Sequence, residues 1–470
     1  TRMCYPRNSA RLNLMTKTRA FLLTLLTAAA ILVSGIVPSQ SSPALAAAGQ
    51  PSWADNATIY EVNVRQYTHE GTFKAFQTHL PRLKALGVKI LWFMPVQPIS
   101  VLNRKGTLGS PYSIADYKGI NPEFGDSADF KVLVEAAHAA GFKVVLDWVA
   151  NHTGWDNKWI TAHPDWYTKD AKGQITVPPG TDWTDVADLN YDNADMRAAM
   201  IDSMKYWLTT YDIDGFRADV AGGVPTDFWE TARKQLEAVK PIWMVAEDED
   251  NTTLVDNAFN ANYGWSFLGK MSEMSNGFAS KLKALEAIRN SESYPTGTYP
   301  MTFITNHDEN SWNGTEYSRL GNAVKQMSVF YFTSPGMPLI YTGQEVGFRE
   351  KLYFFEKDEV KWKASPMTAF YQKLVALKTK NSALNTDATP ARTSWLDNPS
   401  YFTAAYGRAD GKNKVLVVLN LSGGKTTTTI TAGAFAGTYY DVFTGKQVKI
   451  SAKQKLTLPA QGYLALSTTK

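Results

Sequence analysis

Cysteine is almost absent. Cys4 is the single one in 470 residues, and it falls in a segment that reads as a leader, so the rest of the chain folds without a disulfide framework. It stands upstream of the leader's apolar run, where it cannot serve as a lipid-bearing residue at a cleavage site. Excess charge is the second thing missing. Five of the 48 basic residues and none of the 44 acidic ones lie within residues 1–46, which leaves the remainder within one charge of neutral. The formal net charge of +4 therefore belongs to the leader, and no basic patch argues for nucleic acid as a partner. Long apolar runs are also scarce. The longest extends from Ala20 to about Val37, behind Lys17 and Arg19 and ahead of small residues ending in ALAAA. That order reads as a secretory signal peptide, residues 1–46, with cleavage after Ala46 or Ala48. Ser34, Gly35 and Pro38 make the run weaker than a membrane-spanning anchor. The expectation is a secreted protein, extracellular or periplasmic, with no membrane association once the leader is removed.

What is present is globular. The chain is 44% apolar and 20% charged, which excludes a disordered or fibrous protein, and its length exceeds what one core fills. Aromatics reach 12%, including 14 Trp; such rings suit sugar-binding clefts, but a large core absorbs as many. From residue 57, apolar strand-like runs alternate with amphipathic helical stretches. TIYEV (58–62) precedes a helix over 72–86, VKILWFMPV (88–96) one over 127–140, and FKVVLDWVA (142–150) one over 194–210. IDGFRADV (213–220) leads to a helix over 226–239, and IWMVAED (242–248) to a less regular region. MTFITNHD (301–308) leads to a helix near 319–333 and PLIYTG (338–343) to one near 365–380, with the sixth strand placed within 258–268. Strands alternating with helices mean a parallel sheet, and eight units fit a (β/α)8 barrel over 47–383. A doubly wound open sheet is the alternative, but no glycine-rich phosphate loop follows the first strand. Residues 151–193 are too long for a simple connection and read as an inserted domain after strand three. From 384 to 470 the pattern changes to alternating strands, an all-β sandwich.

The stretch DGFRADVAGG (214–223) sets Asp214, Arg217 and Asp219 inside a buried strand. Isolated, such a trio reads as a structural ion pair. Three other strand ends alter that reading. Asp147, with Asn151 and His152 beyond it, falls at the end of strand three, Glu247 ends strand five, and His307 and Asp308 end strand seven. At the carboxyl ends of barrel strands, polar residues face the active site, so Asp219, Glu247 and Asp308 converge from distant parts of the sequence.

DWVANH (147–152), DGFRADV (214–220), VAED (245–248) and TNHDEN (305–310) resemble, in order and spacing, the four signature regions of the α-amylase family of glycoside hydrolases. SPYSIADYKGINPEFG (110–125) and SPGMPLIYTGQE (334–345) extend the resemblance from Trp53 to about Lys380. It implies an inserted domain B, a carboxyl-terminal domain C, and retaining cleavage of α-1,4-glucosidic bonds in starch-type glucans. By the resemblance Asp219 is the nucleophile, Glu247 the general acid/base, and Asp308 the third carboxylate that supports the cationic transition state. Arg217 would keep Asp219 ionised, and its acidity should stay below that of Glu247 in pKa. His152 and His307 match sugar-hydroxyl ligands, Tyr112 a ring that stacks on the sugar, and Asp147 a brace for Arg217. Asp214 reads as structural. No organic cofactor is implied. Calcium between domain B and the barrel is left open: Asn151 matches one ligand and Asp182, Asp185, Asp188 and Asp192 are candidates. Against it, VAGG (220–223) lacks the Lys-His pair common in calcium-dependent members. The segment VADLN (186–190) fits no single specificity, so cyclodextrin- or pullulan-degrading enzymes, α-glucosidase and glucanotransferase stay as alternatives. A non-catalytic glucan-binding protein would have lost a carboxylate, and none is lost. The sequence carries no signal for oligomeric state.

Overall fold

The computed structural model of the chain describes residues 49–470; the expected leader lies outside them. Eight short parallel strands close a barrel in chain order: β1 (Ile59–Val62), β2 (Ile90–Phe93), β3 (Lys143–Val149), β4 (Gly215–Asp219), β5 (Trp243–Ala246), β6 (Ala261–Tyr263), β7 (Tyr299–Thr302) and β8 (Met337–Tyr341), which pairs back with β1. β1 and β2 are buried at every position. A strand covered by helices outside and by layered side chains inside has no solvent face, so it reads as a continuous apolar run. β6 is the shortest, and a side chain assists it. Asn260, just ahead of β6, accepts at Oδ1 from the Met244 N–H (2.9 Å) and from Arg233 Nη1 (2.9 Å).

The helix over Ser127–Ala140 starts at a capping box made by Asp126 and Asp129 and stops at Gly141, whose φ of 96° favours glycine. Two expected helices are divided. The one over 72–86 becomes Phe73–Gln77 and Leu80–Leu86, because Pro81 has no N–H to continue the ladder and enters in the first turn of the second helix. The one near 319–333 becomes Glu316–Leu320 and Val324–Thr333, parted at Gly321 with a φ of 55°. Strand seven also ends earlier than expected, at Thr302. His307 and Asp308 lie on the loop beyond it, and Asp308 begins a helical turn over Glu309–Asn313.

Within 151–193, His152–Gly154 pairs antiparallel with Val186–Asp188. After residue 392 the chain is β strands apart from one helical turn, Gly433–Phe435. Strands Thr393–Trp395, Thr403–Ala409, Lys414–Asn420, Tyr463–Ser467, Gly437–Asp441 and Gln447–Ile450 form one antiparallel sheet, and Thr426–Thr431 pairs with Lys453–Leu458 in another. Alternation assigns the faces of the larger sheet. Val415, Val417, Leu419 and Tyr406 join the same apolar cluster as the barrel strands. Leu416, Val418 and Ala405 turn the other way and pack with Ile430. Gln326 Nε2 donates across the junction to the Asn420 and Gly462 carbonyls.

Candidate active site

The register of β3, β4 and β5 sets the site. Asp147 pairs with Arg217, Val149 with Asp219, and Ala218 with Ala246. Asp219 and Glu247 therefore end neighbouring strands, about 4.8 Å apart in backbone. Arg217 is fully buried and sits between the acids. Its Nη1 donates to Asp147 Oδ1 at 2.8 Å and to Asp219 Oδ1 at 2.9 Å. Its Nη2 lies 2.9 Å from Glu247 Oε2, off the line of a hydrogen bond. Nε donates to the Tyr263 hydroxyl at 3.0 Å. The rings of Trp92, Tyr112 and Tyr263 surround the guanidinium with centres 5.2, 5.6 and 5.4 Å away. Only a planar cation with several fixed donors could serve three carboxylates at once while resting against π faces.

Burial dominates the acidity of the carboxylates. It pushes Glu247 up to about 8, with Arg217 opposing and Asp219 and Asp308 reinforcing. It pushes Asp219 up to about 6, with Arg217 again opposing. Arg217 lowers Asp219, as expected, and Asp219 stays below Glu247, but desolvation outweighs the arginine and makes the net shift upward. Asp147 is likewise raised to about 6 by burial. Glu247 Oε2 accepts from the Val220 N–H at 2.9 Å. Val220 has a φ of 42°, an unfavourable left-handed conformation for a β-branched residue that costs about 1–3 kcal/mol. The strain aims its N–H at Glu247.

A second set of bonds runs through His307. Tyr112 donates its one hydroxyl proton to Asp147 Oδ2 (3.0 Å), so it accepts from His307 Nε2 at 2.8 Å. His307 Nδ1 donates to Glu61 Oε1 at 2.5 Å. Both ring nitrogens donate, which makes the imidazole a cation. Its acidity agrees: burial acts against the charge, but Asp308 and Glu61 outweigh it and push His307 up to about 9. Asp308 Oδ2 lies 3.5 Å from His307 Nε2, and Asp308 Oδ1 accepts from Trp312 Nε1 at 3.2 Å. Trp92 Nε1 donates to Asp147 Oδ2 at 3.2 Å. Tyr112, Asp147, Arg217, Asp219, Glu247, His307 and Asp308 therefore form one network. His152 joins at its edge. Burial pulls it down to about 4, so it is neutral, and it is bonded to the Tyr112 backbone. Asn151 Nδ2 donates to its Nδ1 at 3.2 Å, and the Trp183 ring stands edge-on 5.6 Å away.

Sequence reasoning missed Glu61, Trp92, Tyr263, Trp312 and the strained Val220. Glu61 had a signal: a lone acid inside the apolar run TIYEV. The others are aromatic or apolar and carried none. Asp214 is at the opposite end of β4, where His138 Nε2 (2.7 Å), Lys143 Nζ (3.0 Å) and the Val144 N–H (2.9 Å) surround it. It is structural.

The calcium candidates do not gather. Among the described residues no three His, Cys, Asp or Glu side chains are grouped to hold a metal. Lys105 Nζ stands 3.1 Å from Asp185 and donates to the Asp182 carbonyl at 3.3 Å, so an ammonium already pairs with one of the four aspartates. Asn151 Oδ1 is turned toward Gly223. The four aspartates do not by themselves make a calcium cage, which wants six to eight oxygens.

Carboxylates of separated acidity at the carboxyl-terminal mouth of a closed parallel barrel define an acid/base and nucleophile site of the glycosidase type. Residues 52–398 match the family described as "Alpha amylase, catalytic domain", and residues 403–461 match the "Alpha-amylase SusG C-terminal domain". The chain belongs to the α-amylase family of glycoside hydrolases. It is similar to the alpha-amylase MalA of Haloarcula japonica, 28% identical over 82% of this chain and 58% of that one. It is also 28% identical to a cyclomaltodextrin glucanotransferase of Niallia circulans, over 77% of this chain and 55% of that one. The chain thus spans little more than half the length of these curated relatives. Among solved structures, a noncanonic maltogenic alpha-amylase AmyB of Thermotoga neapolitana superposes with a TM-score of 0.78 at 30% identity, covering 88% of this chain and 98% of that one. An alpha-amylase of Lactobacillus plantarum gives a TM-score of 0.78 at 31% identity, with 88% and 99% covered.

Proposed function

We infer that the chain is a secreted, retaining hydrolase of α-1,4-glucosidic bonds in starch-type glucans and maltooligosaccharides. The observation that carries this reading is the pair Asp219 and Glu247, at adjacent strand ends, bridged by one arginine and held at about 6 and about 8. At neutral pH that leaves one carboxylate ionised and its neighbour protonated, the division of labour that glycosidic cleavage requires. Asp219 Oδ1 is held by Arg217, so Oδ2 is the oxygen offered to the anomeric carbon. It forms the C–O bond as the glycosidic bond breaks, and Glu247 gives its proton to the departing oxygen. Glu247, now a carboxylate, takes a proton from water; the water oxygen bonds to the anomeric carbon and Asp219 leaves. The configuration is inverted twice and so retained. Asp308 and the His307 cation face the sugar's hydroxyls and the charge that develops on its ring. Residues 47–383 with the 151–193 insertion would carry this chemistry and residues 384–470 would brace them.

NMR of fresh hydrolysate should show the α-anomer before mutarotation, and Asp219→Asn should remove nearly all turnover. An initial β-anomer or an active Asn variant would overturn the assignment. Transfer to a second sugar is the other reading, favoured by the likeness to a cyclomaltodextrin glucanotransferase; products longer than the substrate on maltotriose would select it. Secretion rests on the basic, apolar and small-residue order before Gly49. Intact mass of the exported protein should begin near Ala47 or Gly49. Among the described residues no helix is long and apolar enough to cross a membrane.

A further inference from the structure

Residues 99–110, in the connection after β2, form a strap that the reaction above leaves unexplained. It runs from the 151–193 insertion to the loop after β8 and is pinned at both ends. On the insertion side Lys105 meets Asp185 and the Asp182 carbonyl, and the Val101 N–H donates to Asp156 Oδ2 at 2.7 Å. On the other side the Leu108 N–H donates to the Phe355 carbonyl (3.0 Å) and the Thr107 N–H to Glu356 Oε1 (3.0 Å). Buried Arg65 ties the two segments together, donating to the Gly109 (3.0 Å) and Leu108 (3.3 Å) carbonyls of the strap and to the Phe354 carbonyl (3.4 Å) of the loop. Gly106 has a φ of +64°, and a Cβ there would stand 2.5 Å from Phe355 Cβ. The strap rests directly on the loop.

The loop walls a half-open cavity of about 770 Å³, lined by Lys351, Phe354 and Phe355, with Trp312 and, from the strap, Gly106; typical small-ligand pockets are about 300–1,000 Å³. The cavity adjoins the reacting groups. Trp312 donates to Asp308, and Phe354 lies nearly parallel to Tyr112, with centroids 6.0 Å apart and planes at 13°. Its place around the barrel gives it a polarity. The walls follow β2, β7 and β8, whereas Glu247 follows β5, across the mouth. The leaving sugar departs on the side of the acid that protonates it, so the cavity faces the opposite, glycone end.

We propose that the pinned strap caps the glycone end of the groove, so that the cavity receives the non-reducing end of an α-glucan chain and fixes a short product length. The proposal rests on the hydrolase reading above. Its occupant is a short run of glucosyl units, whose apolar ring faces suit Trp312, Phe354 and Phe355, while the groove toward Glu247 stays open to the rest of the polymer. A strap held at one end only would leave a through-groove and mid-chain attack.

The test uses the full chain on two aryl maltooligosaccharides, one free and one blocked at its non-reducing end. The free substrate should be cleaved at least about tenfold faster, and unmodified maltooligosaccharides should give one dominant short product from the first time points. Releasing the strap with Gly106→Ala, or with Thr107→Ala and Glu356→Gln together, should bring the two rates together and spread the product lengths. Lys105→Ala, at the other pin, should move both readouts the same way. Gained action on the blocked substrate cannot come from misfolding. Equal native rates on the two substrates with a broad product ladder would overturn the cap while leaving the hydrolase reading intact. Release from neither substrate would overturn both.

Discussion

Glu247→Gln removes one proton donor and one buried acid while keeping the shape of the side chain. In the proposed mechanism the reactive form needs Asp219 ionised, at about 6, and Glu247 protonated, at about 8. The first chemical step should therefore follow a bell with limbs near those values, and at about pH 7 each group is roughly ten-to-one in its reactive form. Glutamine cannot give a proton. On a natural glucan, whose departing alcohol must be protonated, the first step should slow by about 10²- to 10⁴-fold. On a substrate with an activated aryl leaving group little protonation is needed, so most of the rate should survive, and the pH profile should change shape. The alkaline limb disappears and the acid limb near 6 remains, because Asp219 still has to lose its proton. In the same mechanism Glu247 is also the base of the second step, so steady-state rates should fall for both substrates. The informative measurement is the stopped-flow burst of aryl release across about pH 5 to 9. An alkaline limb that persists in the Gln variant, or equal losses on both leaving groups, would refute the assignment of Glu247 as the acid.

Other outcomes follow from the same geometry. Asp219 and Glu247 are both raised in the fold, so the folded state holds their protons more tightly than the unfolded chain does. Their contribution to stability is complete below the unfolded values, near pH 4, and is lost as pH rises through about 6 and then about 8. Thermal melts of Glu247→Gln should accordingly match the native protein near pH 4 and exceed it by a few degrees near pH 8; a lower Tm at the higher pH would contradict this. Treatment with a calcium chelator should leave activity and Tm unchanged, because Lys105 already pairs with Asp185 and the carboxylates of the insertion do not gather; recovery that needs added calcium would show otherwise. Truncation after residue 383 should yield insoluble or strongly destabilised protein, because Tyr406, Val415, Val417 and Leu419 belong to the barrel's own apolar cluster. A soluble truncated barrel with unchanged Tm and lost starch-granule binding would assign the β-domain to binding instead.

The clustered carboxylates were legible because they break a strong rule. A charge inside an apolar run needs a reason, and four such charges, each at or just beyond a strand in chain order, have few. The same rule applied to TIYEV would have found Glu61, whose partner His307 is 246 residues away in sequence. β6 was legible only as a window. Three residues, Ala-Asn-Tyr, carry no periodicity, and their pairing depends on the buried Asn260 side chain and on Arg233 from a helix two strands earlier. The division of two helices lay in single residues, Pro81 and Gly321, that a repeat of apolar positions runs straight through. Val220 was hidden for a different reason: valine normally marks an extended backbone, and only its neighbours hold it at a positive φ. The order of the Asp219 and Glu247 acidities was legible, but the net rise of Asp219 was not, because a sequence shows the nearby arginine and not the depth at which both are buried.

Arg217 also governs how mutations at this site combine. One guanidinium is shared by Asp147, Asp219 and Glu247, so altering any one acid changes how strongly the other two are compensated. Single-substitution effects at these three positions should therefore fail to add in double-mutant cycles, and their proton affinities should move as a group. A laboratory lineage that exchanges one of them will alter the tolerance of the other two. The order in which substitutions arrive at this centre therefore matters, because each changes the setting in which the next is made.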